Sequence, residues 1–402
     1  MPGSGRIYYI AGAGISGLTL ALALAKFGAA VVVLERSPVP SEFGAGLQIS
    51  PNARHVLNDL GLDQVIAAHS LEPTGIDIYP YRRPNPLVTL ELGATIREKF
   101  GAPYAVMHRA DLADALYKAC RRFANIDMLF GVRAWDAASH ASGISITIEE
   151  ANGQSRSGRA AGLIGADGVH SFTRTKLLAG PKAQYNGRVA WRTLSPFDAM
   201  AGQVALDRVS VFFAPDYHLV CYPLPHRRQV NLALFAKGPS DKSDATQPAL
   251  PRASLHSPRF EVILAAAGES WTPWPVFTVA TPQWHRGNIG LVGDAAHAML
   301  PFQAQGAAMG IEDAAILAPL LIASPDAQTA FARFTALRHA RVDRVAQVSR
   351  ANGRIFHLDW PLSTARNLVI SAQGSRAHLK RLDWLYGYDA TAAGRDQSPP
   401  PR

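Results

Sequence analysis

The chain is poor in cysteine: among 402 residues, Cys120 and Cys221 are the only two. They cannot form a disulfide framework or, alone, a zinc site, so a reducing cytoplasm is the expected setting. A long run of lysine or arginine is also missing. The formal charge is +9, but the basic residues are scattered, in pairs such as Arg82-Arg83, Arg121-Arg122 and Arg227-Arg228, with no interleaved aromatic stripe. Nucleic acid is therefore not an expected partner. A positive field instead favours anionic small molecules entering a cleft. Residues 18–25 form an apolar segment too short to span a bilayer, and the short polar opening, residues 1–6, does not read as a signal peptide. No internal repeat is visible. Secreted disulfide scaffolds, nucleic-acid binders and membrane proteins thus leave the field. The chain is also longer than a single core usually supports, so two joined domains are expected.

The clearest positive signal is a β-α-β unit. Residues 7–10 are a short apolar strand, Gly12-Ala13-Gly14-Ile15-Ser16-Gly17 turns it, 18–27 have helical spacing, and 30–34 are a second buried strand ending at Glu35. Gly12 permits the tight turn, Gly14 lets the backbone approach a pyrophosphate, and Gly17 lets helix and strand pack closely. The helix N-terminus then offers free N–H groups to phosphate. Glu35, 23 residues after Gly12, is placed to accept both ribose hydroxyls and disfavours a 2′-phosphate, so the bound nucleotide is not NADP. Arg36 either lies over adenine or is a solvated surface arginine.

Two further turns carry chemistry. In Gly165-Ala166-Asp167-Gly168-Val169-His170-Ser171, Asp167 and Gly168 make a turn and Ser171 can cap the next helix. At Gly293-Asp294 an aspartate ends an apolar strand, at the sheet edge where ligands bind. Asp294 can accept from a ribityl hydroxyl, cap the following helix, or do both. Further on, Gly306-Ala307-Ala308 presents N–H groups at a helix start, suited to an oxygen on which charge builds.

Between these turns, helices are expected over 51–60 (Ser50 as cap, Pro51 first), 110–123 (capped near His108), 260–267, 306–322 and 327–350. Residues 144–148 and 160–164 read as a β ribbon. Alternating segments at 189–194, 209–213, 218–222 and 230–235 read as an antiparallel sheet, and 237–251 as a polar loop.

With its motifs in this order, the chain resembles the flavin-dependent aromatic hydroxylases, the single-component FAD monooxygenases with the para-hydroxybenzoate hydroxylase fold. The resemblance covers residues 6–350. It rests on the first glycine turn with Glu35-Arg36, on Gly44-Ala45-Gly46-Leu47-Gln48-Ile49-Ser50-Pro51-Asn52, on His108-Arg109-Ala110-Asp111-Leu112, on the Asp167 turn, and on the stretch from Gly293-Asp294 through Pro301 and Gly306-Ala307 to Glu312-Asp313. The branch it looks most like holds salicylate, 3-hydroxybenzoate and hydroxynicotinate hydroxylases.

The resemblance implies an α/β architecture: an FAD-binding Rossmann-like domain with an inserted, mainly antiparallel β-sheet substrate domain and C-terminal helices. The expected limits are 1–75, 100–180 and 280–325 for the FAD domain, 76–99 and 181–279 for the substrate domain, 326–389 for the helical region, and 390–402 for a disordered tail. It further implies that Arg109 contacts the FAD phosphate or ribityl region, that Asp294 binds the FAD chain, that Gln48 lies beside the isoalloxazine, that Gly306 and Ala307 touch the flavin ring, and that Asp167 serves FAD and NAD(P)H. Pro301, Phe302 and Gln303 would face substrate. In the inserted sheet, His218 and Tyr222 share one strand face. They are either pocket residues, His218 as a base or carboxylate holder, or ordinary sheet residues. Arg192 is a candidate for binding a carboxylate, and Cys221 points to the other face.

The implied reaction is hydroxylation of a small phenolic or hydroxypyridine substrate, carboxylated, with NAD(P)H and O2 through a C4a-hydroperoxyflavin, in a monomer or homodimer. The alternatives are an oxygenase of the same fold acting on a polycyclic antibiotic or an isoprenoid, and a non-catalytic flavin-binding sensor.

Overall fold

The computed structural model describes residues 5–39, 46–80, 83–239, 250 and 258–396. Gly44, Ala45, Arg82, most of the polar loop at 237–251, and residues 397–402 lie outside it.

Strands Ile7–Ala11 and Ala30–Glu35 are almost wholly apolar, as strands buried on both faces of a parallel sheet must be. They pair in parallel, with Ile7 opposite Ala30. Gly162–Gly165 joins the other side of the first strand, followed by Ile289–Leu291, and Ile126–Phe130 lies beyond Ala30–Glu35. His285–Arg286 closes the edge antiparallel. The last-used strands thus join the sheet of the first, separated from it only by Gly162–Gly165, so early and late segments of the sequence build one sheet. Helices Ile15–Lys26 and Gly306–Ala323 pack on each other and on this sheet. Among the described residues, Gly306–Ala323 alone is long and apolar enough to cross a membrane, and most of it is buried in the protein core.

The second layer is a seven-stranded sheet, in the order Thr272–Thr278, Gln184–Pro196, Gln229–Lys237, Tyr217–Leu224, Val209–Ala214, Gly75–Pro80, Val88–Glu91. All its pairings are antiparallel except Val209–Ala214 with Gly75–Pro80. One face buries Trp191, Phe212, Leu219, Cys221, Leu232 and Leu234 beneath helix Pro258–Ala267. The opposite face carries Ala190, Arg192, His218, Val220, Tyr222, Ala233 and Phe235 in register, and it turns toward the parallel-sheet layer.

Three local readings need correction. Residues 160–164 are not one ribbon strand. Ser155–Ala160 pairs with Gly143–Glu149, whereas Gly162–Gly165 belongs to the parallel sheet. Gly162 allows this entry, because a Cβ there would come within 2.9 Å of the Ala327 side chain. Ser50 precedes helix Pro51–Asp59, but its hydroxyl donates to Asn52 Oδ1 (2.6 Å) instead of capping. Finally, the tail expected to be disordered begins with a helix, Ala390–Arg395. The Asp389 carboxylate caps it, accepting from the N–H groups of Thr391 and Ala392, and Gly394 packs onto the Ala315 backbone.

Candidate active site

A single cavity of about 1050 Å³ runs from the first glycine turn to the inner face of the seven-stranded sheet. That is the upper end for small-molecule sites. At its nucleotide end lie Gly12, Ala13, Gly14, Ile15 and Ser16, with Glu35 and Arg36 beside them. Gly12 has φ +108°, and a Cβ there would sit 2.5 Å from the Ala166 carbonyl oxygen, so two turns cross here without room for a side chain. Gly17 does not line the cavity. It lets the helix press onto the Gly12 carbonyl, which a Cβ would approach to 2.0 Å. Glu35 accepts from the N–H groups of Ala13 (2.9 Å) and Ser37 (2.8 Å). Each carboxylate oxygen keeps a lone pair for a ribose hydroxyl. Tyr117, Phe130 and Trp135 complete this end, an aromatic lining that the glycine motif did not reveal.

Helices Ile15–Lys26 and Gly306–Ala323 both open into the cavity at their N-termini, and neither N-cap, Gly14 or Gln305, has a side-chain capping bond. Their first N–H groups are left for a ligand. Asp294 projects exposed between them with no hydrogen bond among the described residues, which removes the alternative that its carboxylate is a helix cap. Two uncapped helix ends and a bare carboxylate, spaced along one channel, fit a long ligand with a diphosphate, a polyol and an electron-accepting ring. Asp167 also lines the channel, but its carboxylate is occupied: Ser171 donates to it (2.5 Å), as do the Thr173 N–H (2.9 Å) and hydroxyl (3.0 Å). Ser171 in turn accepts from the Arg174 N–H, the capping role expected of it.

Gly293, at φ +58°, does not line the cavity. A Cβ there would meet Ser16 Oγ at 2.5 Å, so it locks the two glycine turns together. Beneath the Gly306 turn runs a buried polar network. Asp313 accepts from the Gly293 N–H (2.9 Å), from Arg338 Nε (2.9 Å) and faces His297 Nε2 (2.7 Å). Glu312 accepts from Arg338, Arg341 and Asn52. Burial alone would raise the Asp313 pKa, yet His297, Arg338 and the Gly293 N–H hold it below the ordinary carboxylate range. Arg338, fully buried, lies 25 residues beyond Asp313 and had no visible partner in the sequence.

The far end is walled by Ala190, Phe235, Trp274, Pro275, Val276, Phe277, Ala298, Met299 and Pro301. Arg109 and Arg192 reach into the cavity, Arg227 lines it while forked onto Asp111, and Arg192 Nε is buried without a hydrogen-bond partner among the described residues. Burial lowers the Arg192 pKa, Tyr222 opposes that, and Arg109 adds to it; an arginine nonetheless stays charged.

Seven expected site residues are not brought to the cavity wall: Gly17, Gln48, Gly293, Phe302, Gln303, His218 and Tyr222. Gln48 accepts from the Tyr104 hydroxyl. Gln303 is held by Asn352, and Phe302 packs over Gly353. His218 stands one ring behind the wall, stacked on Phe235 (centroids 4.7 Å, planes 8° apart), with Nδ1 2.8 Å from His357 Nε2. Burial, then His357 and Arg188, push its pKa well below the usual value. Tyr222 is buried with its ring against Gly46, where a Cβ would lie 2.4 Å from it, and Asn231 fixes the same strand by accepting from the Gly46 N–H (2.7 Å).

Comparison with known proteins agrees with this geometry. The family model described as FAD binding domain matches residues 7–351. A 3-hydroxybenzoate 6-hydroxylase of Aquipseudomonas alcaligenes is 30% identical, over 94% of this chain and 96% of its own. The 3-amino-4-hydroxybenzoate 2-monooxygenase PtnB3 of Streptomyces platensis is 33% identical, over 96% of each. A salicylate hydroxylase crystallised with substrate superposes with a TM-score of 0.80 at 24% identity, covering 99% of each chain. HpxO of Klebsiella pneumoniae, crystallised with FAD and uric acid, superposes at 0.81 and 22%, over 99% of this chain and 98% of its own. The chain belongs to the FAD-binding-domain family and is an FAD-dependent monooxygenase of the aromatic hydroxylase type.

Proposed function

We propose that the protein hydroxylates a single-ring phenol or hydroxypyridine bearing a carboxylate, using NAD(P)H and O2. The observation that carries this is Arg192: a cation beside an apolar and aromatic wall, with a buried Nε lacking a partner among the described residues. An unpaired buried donor is costly unless a ligand satisfies it, and a planar guanidinium suits a carboxylate. The relatives named as acting on 3-hydroxybenzoate and 3-amino-4-hydroxybenzoate fit the same chemistry. The cavity must first accommodate a whole dinucleotide, which favours one ring over the polycyclic alternative.

In this reading Gly12 to Ser16 and Glu35 hold the nucleotide half of FAD. Arg109 and Asp294 hold its chain, and the N–H groups at Gly306 and Ala307 meet the ring edge where negative charge develops. Bound FAD supplies the redox chemistry, taking electrons from NAD(P)H and activating O2. The protein positions the substrate carboxylate at Arg192 and excludes water with Phe235, Trp274, Phe277, Met299 and Pro301. Among the described residues, the substrate end presents no histidine or carboxylate side chain to act as base. A cytoplasmic setting fits Cys120 and Cys221, both free and buried, Cys120 with its thiol pKa pushed up to about 12.

The test is NADH and NADPH consumption by FAD-loaded protein against paired substrates, hydroxylated benzoates or pyridine carboxylates and the same rings without the carboxylate. Stimulation with product formation only for the carboxylated members is expected. Equal stimulation by both sets would overturn the carboxylate assignment, and none by either would overturn the substrate class.

A further inference from the structure

Ala304, two residues before Gly306, is held at φ 54° and ψ 35°, the left-handed region that is costly for a residue with a Cβ. It closes the short helix Pro301–Gln303 and turns the chain into Gln305, the N-cap of helix Gly306–Ala323. The direction of that turn sets where the Gly306 and Ala307 N–H groups point. Gln305 does not cap them with its side chain, so they stay free for a ligand.

The Gln305 side chain is engaged elsewhere. It completes a closed triangle with two residues from the far side of the sequence. Ser50 Oγ donates to Asn52 Oδ1 (2.6 Å), Asn52 Nδ2 to Gln305 Oε1 (3.0 Å), and Gln305 Nε2 back to Ser50 Oγ (2.9 Å). The triangle is fixed from below, since Asn52 Nδ2 also donates to Glu312 Oε1 (2.6 Å), and Glu312 is held by Arg338 and Arg341. Ser50, Asn52, Gln305 and Glu312 are all buried. A satisfied, buried network of this kind is rigid and specifies one arrangement.

We infer that Ser50, Asn52 and Gln305 are positioning residues: their triangle holds Ala304 in its strained turn and so keeps the Gly306 and Ala307 N–H groups aimed at the flavin ring. This rests on the ring lying at those two N–H groups, as proposed above. Negative charge grows at the ring edge on reduction, so donors fixed in advance favour the reduced form over the oxidised one. Letting the turn relax weakens a charge-assisted bond in the reduced form but only a neutral one in the oxidised form. The difference is about tenfold in the ratio of the two dissociation constants, or a two-electron potential lower by ~30 mV.

The test is the midpoint potential of FAD bound to the full chain, read against a reference dye, with Kd for oxidised FAD measured alongside. Gln305→Met opens the triangle at similar volume. It should lower the potential by the ~30 mV of a tenfold ratio, while oxidised FAD binds within about 3-fold of wild type. Adding Ala304→Gly should recover most of the loss, because glycine takes the left-handed turn without an anchor. Ser50→Ala leaves the helix untouched; it should shift the potential the same way, and it supplies the reading if Gln305→Met does not fold. Ala307→Pro deletes one of the two N–H groups at a position in the first helical turn that tolerates proline, and should lower the potential independently of the triangle. If Ala307→Pro lowers it while Gln305→Met and Ser50→Ala do not, the triangle is only structural and the inference falls, with the ring placement intact. If none of the three moves it, the ring placement falls and the inference with it. A double variant no better than Gln305→Met overturns the role given to Ala304.

Discussion

Replacing Arg192 with methionine removes the cation whose buried Nε has no partner among the described residues while keeping most of its volume. If Arg192 holds the substrate carboxylate, the variant forfeits a charge-assisted hydrogen bond, worth ~1.5–3 kcal/mol, or roughly 10- to 150-fold in kcat/KM. The loss should be confined to carboxylated substrates. For the same ring without its carboxylate, wild type and variant should differ by no more than about 2–3-fold, because no partner is left for the guanidinium to hold. Folding should not suffer. Burial already disfavours the charged form of Arg192, so removing it leaves no opposite charge stranded and the thermal midpoint should hold or rise. FAD affinity should also hold, since the nucleotide contacts lie at the other end of the cavity. The assay is kcat/KM from hydroxylated product for each substrate pair, with Kd for FAD by flavin fluorescence. An equal loss on both members of a pair would show that Arg192 shapes the pocket without reading the carboxylate. Arg192→Lys separates charge from geometry: lysine cannot form the two parallel bonds of a guanidinium and should recover only part of the loss.

Glu35→Ala should weaken FAD by about 1–3 kcal/mol, because the carboxylate orders the Ala13 and Ser37 N–H groups as well as facing the ribose; an unchanged Kd removes it from the site. Arg338→Met takes a fully buried guanidinium from both carboxylates, leaving Asp313 with His297 and the Gly293 N–H and Glu312 with Arg341 and Asn52, and a loss of ~3–5 kcal/mol in unfolding free energy is expected by denaturant titration. Asp313 is held below its ordinary pKa, so its contribution is present above about pH 4 and lost as the pH falls through its folded value; that acid limb should flatten in Arg338→Met.

What was legible in the sequence follows the range of the interactions. Gly12, Gly14, Glu35 and Asp294 line one cavity, and could be picked out because a tight turn or a strand end restricts residue type locally. The alternation at 218–222 and 230–235 gave the strand faces, and Cys221 does lie opposite His218 and Tyr222. Depth was not readable. Alternation says which side of a sheet a residue occupies, but not whether Phe235 stands between it and the ligand. The partners of Asp313 and Glu312 were invisible for a similar reason. Arg338 and Asn52 reach them from helices 25 and 260 residues away, and one arginine among many carries no sign of burial. The seam at residue 161 escaped because two strands of different sheets follow each other with a single residue between them.

His218 is where this limit matters most, since strand alternation alone made it a candidate base. Burial, His357 and Arg188 all favour its neutral form, and the His357 pKa is itself pushed down to about 3, chiefly by burial. A base so depressed, and set behind Phe235, does not reach a substrate phenol. His218→Gln keeps a hydrogen-bonding group toward His357 and removes the imidazole. The rate of hydroxylated product formation should stay within about 3-fold of wild type, against the roughly 10²-fold or greater loss expected for a missing base. The pair should instead appear in stability. In the unfolded chain both histidines titrate near 6.5, while the folded protein keeps them neutral to lower pH. Stability is therefore full above about pH 6.5 and falls as the pH drops toward 3, by up to ~1.4 kcal/mol per pH unit for each histidine. His218→Gln should lose one histidine's share of that slope, measured as unfolding free energy at pH 7 and pH 5. An unchanged slope together with a 10²-fold slower hydroxylation would return His218 to the chemistry.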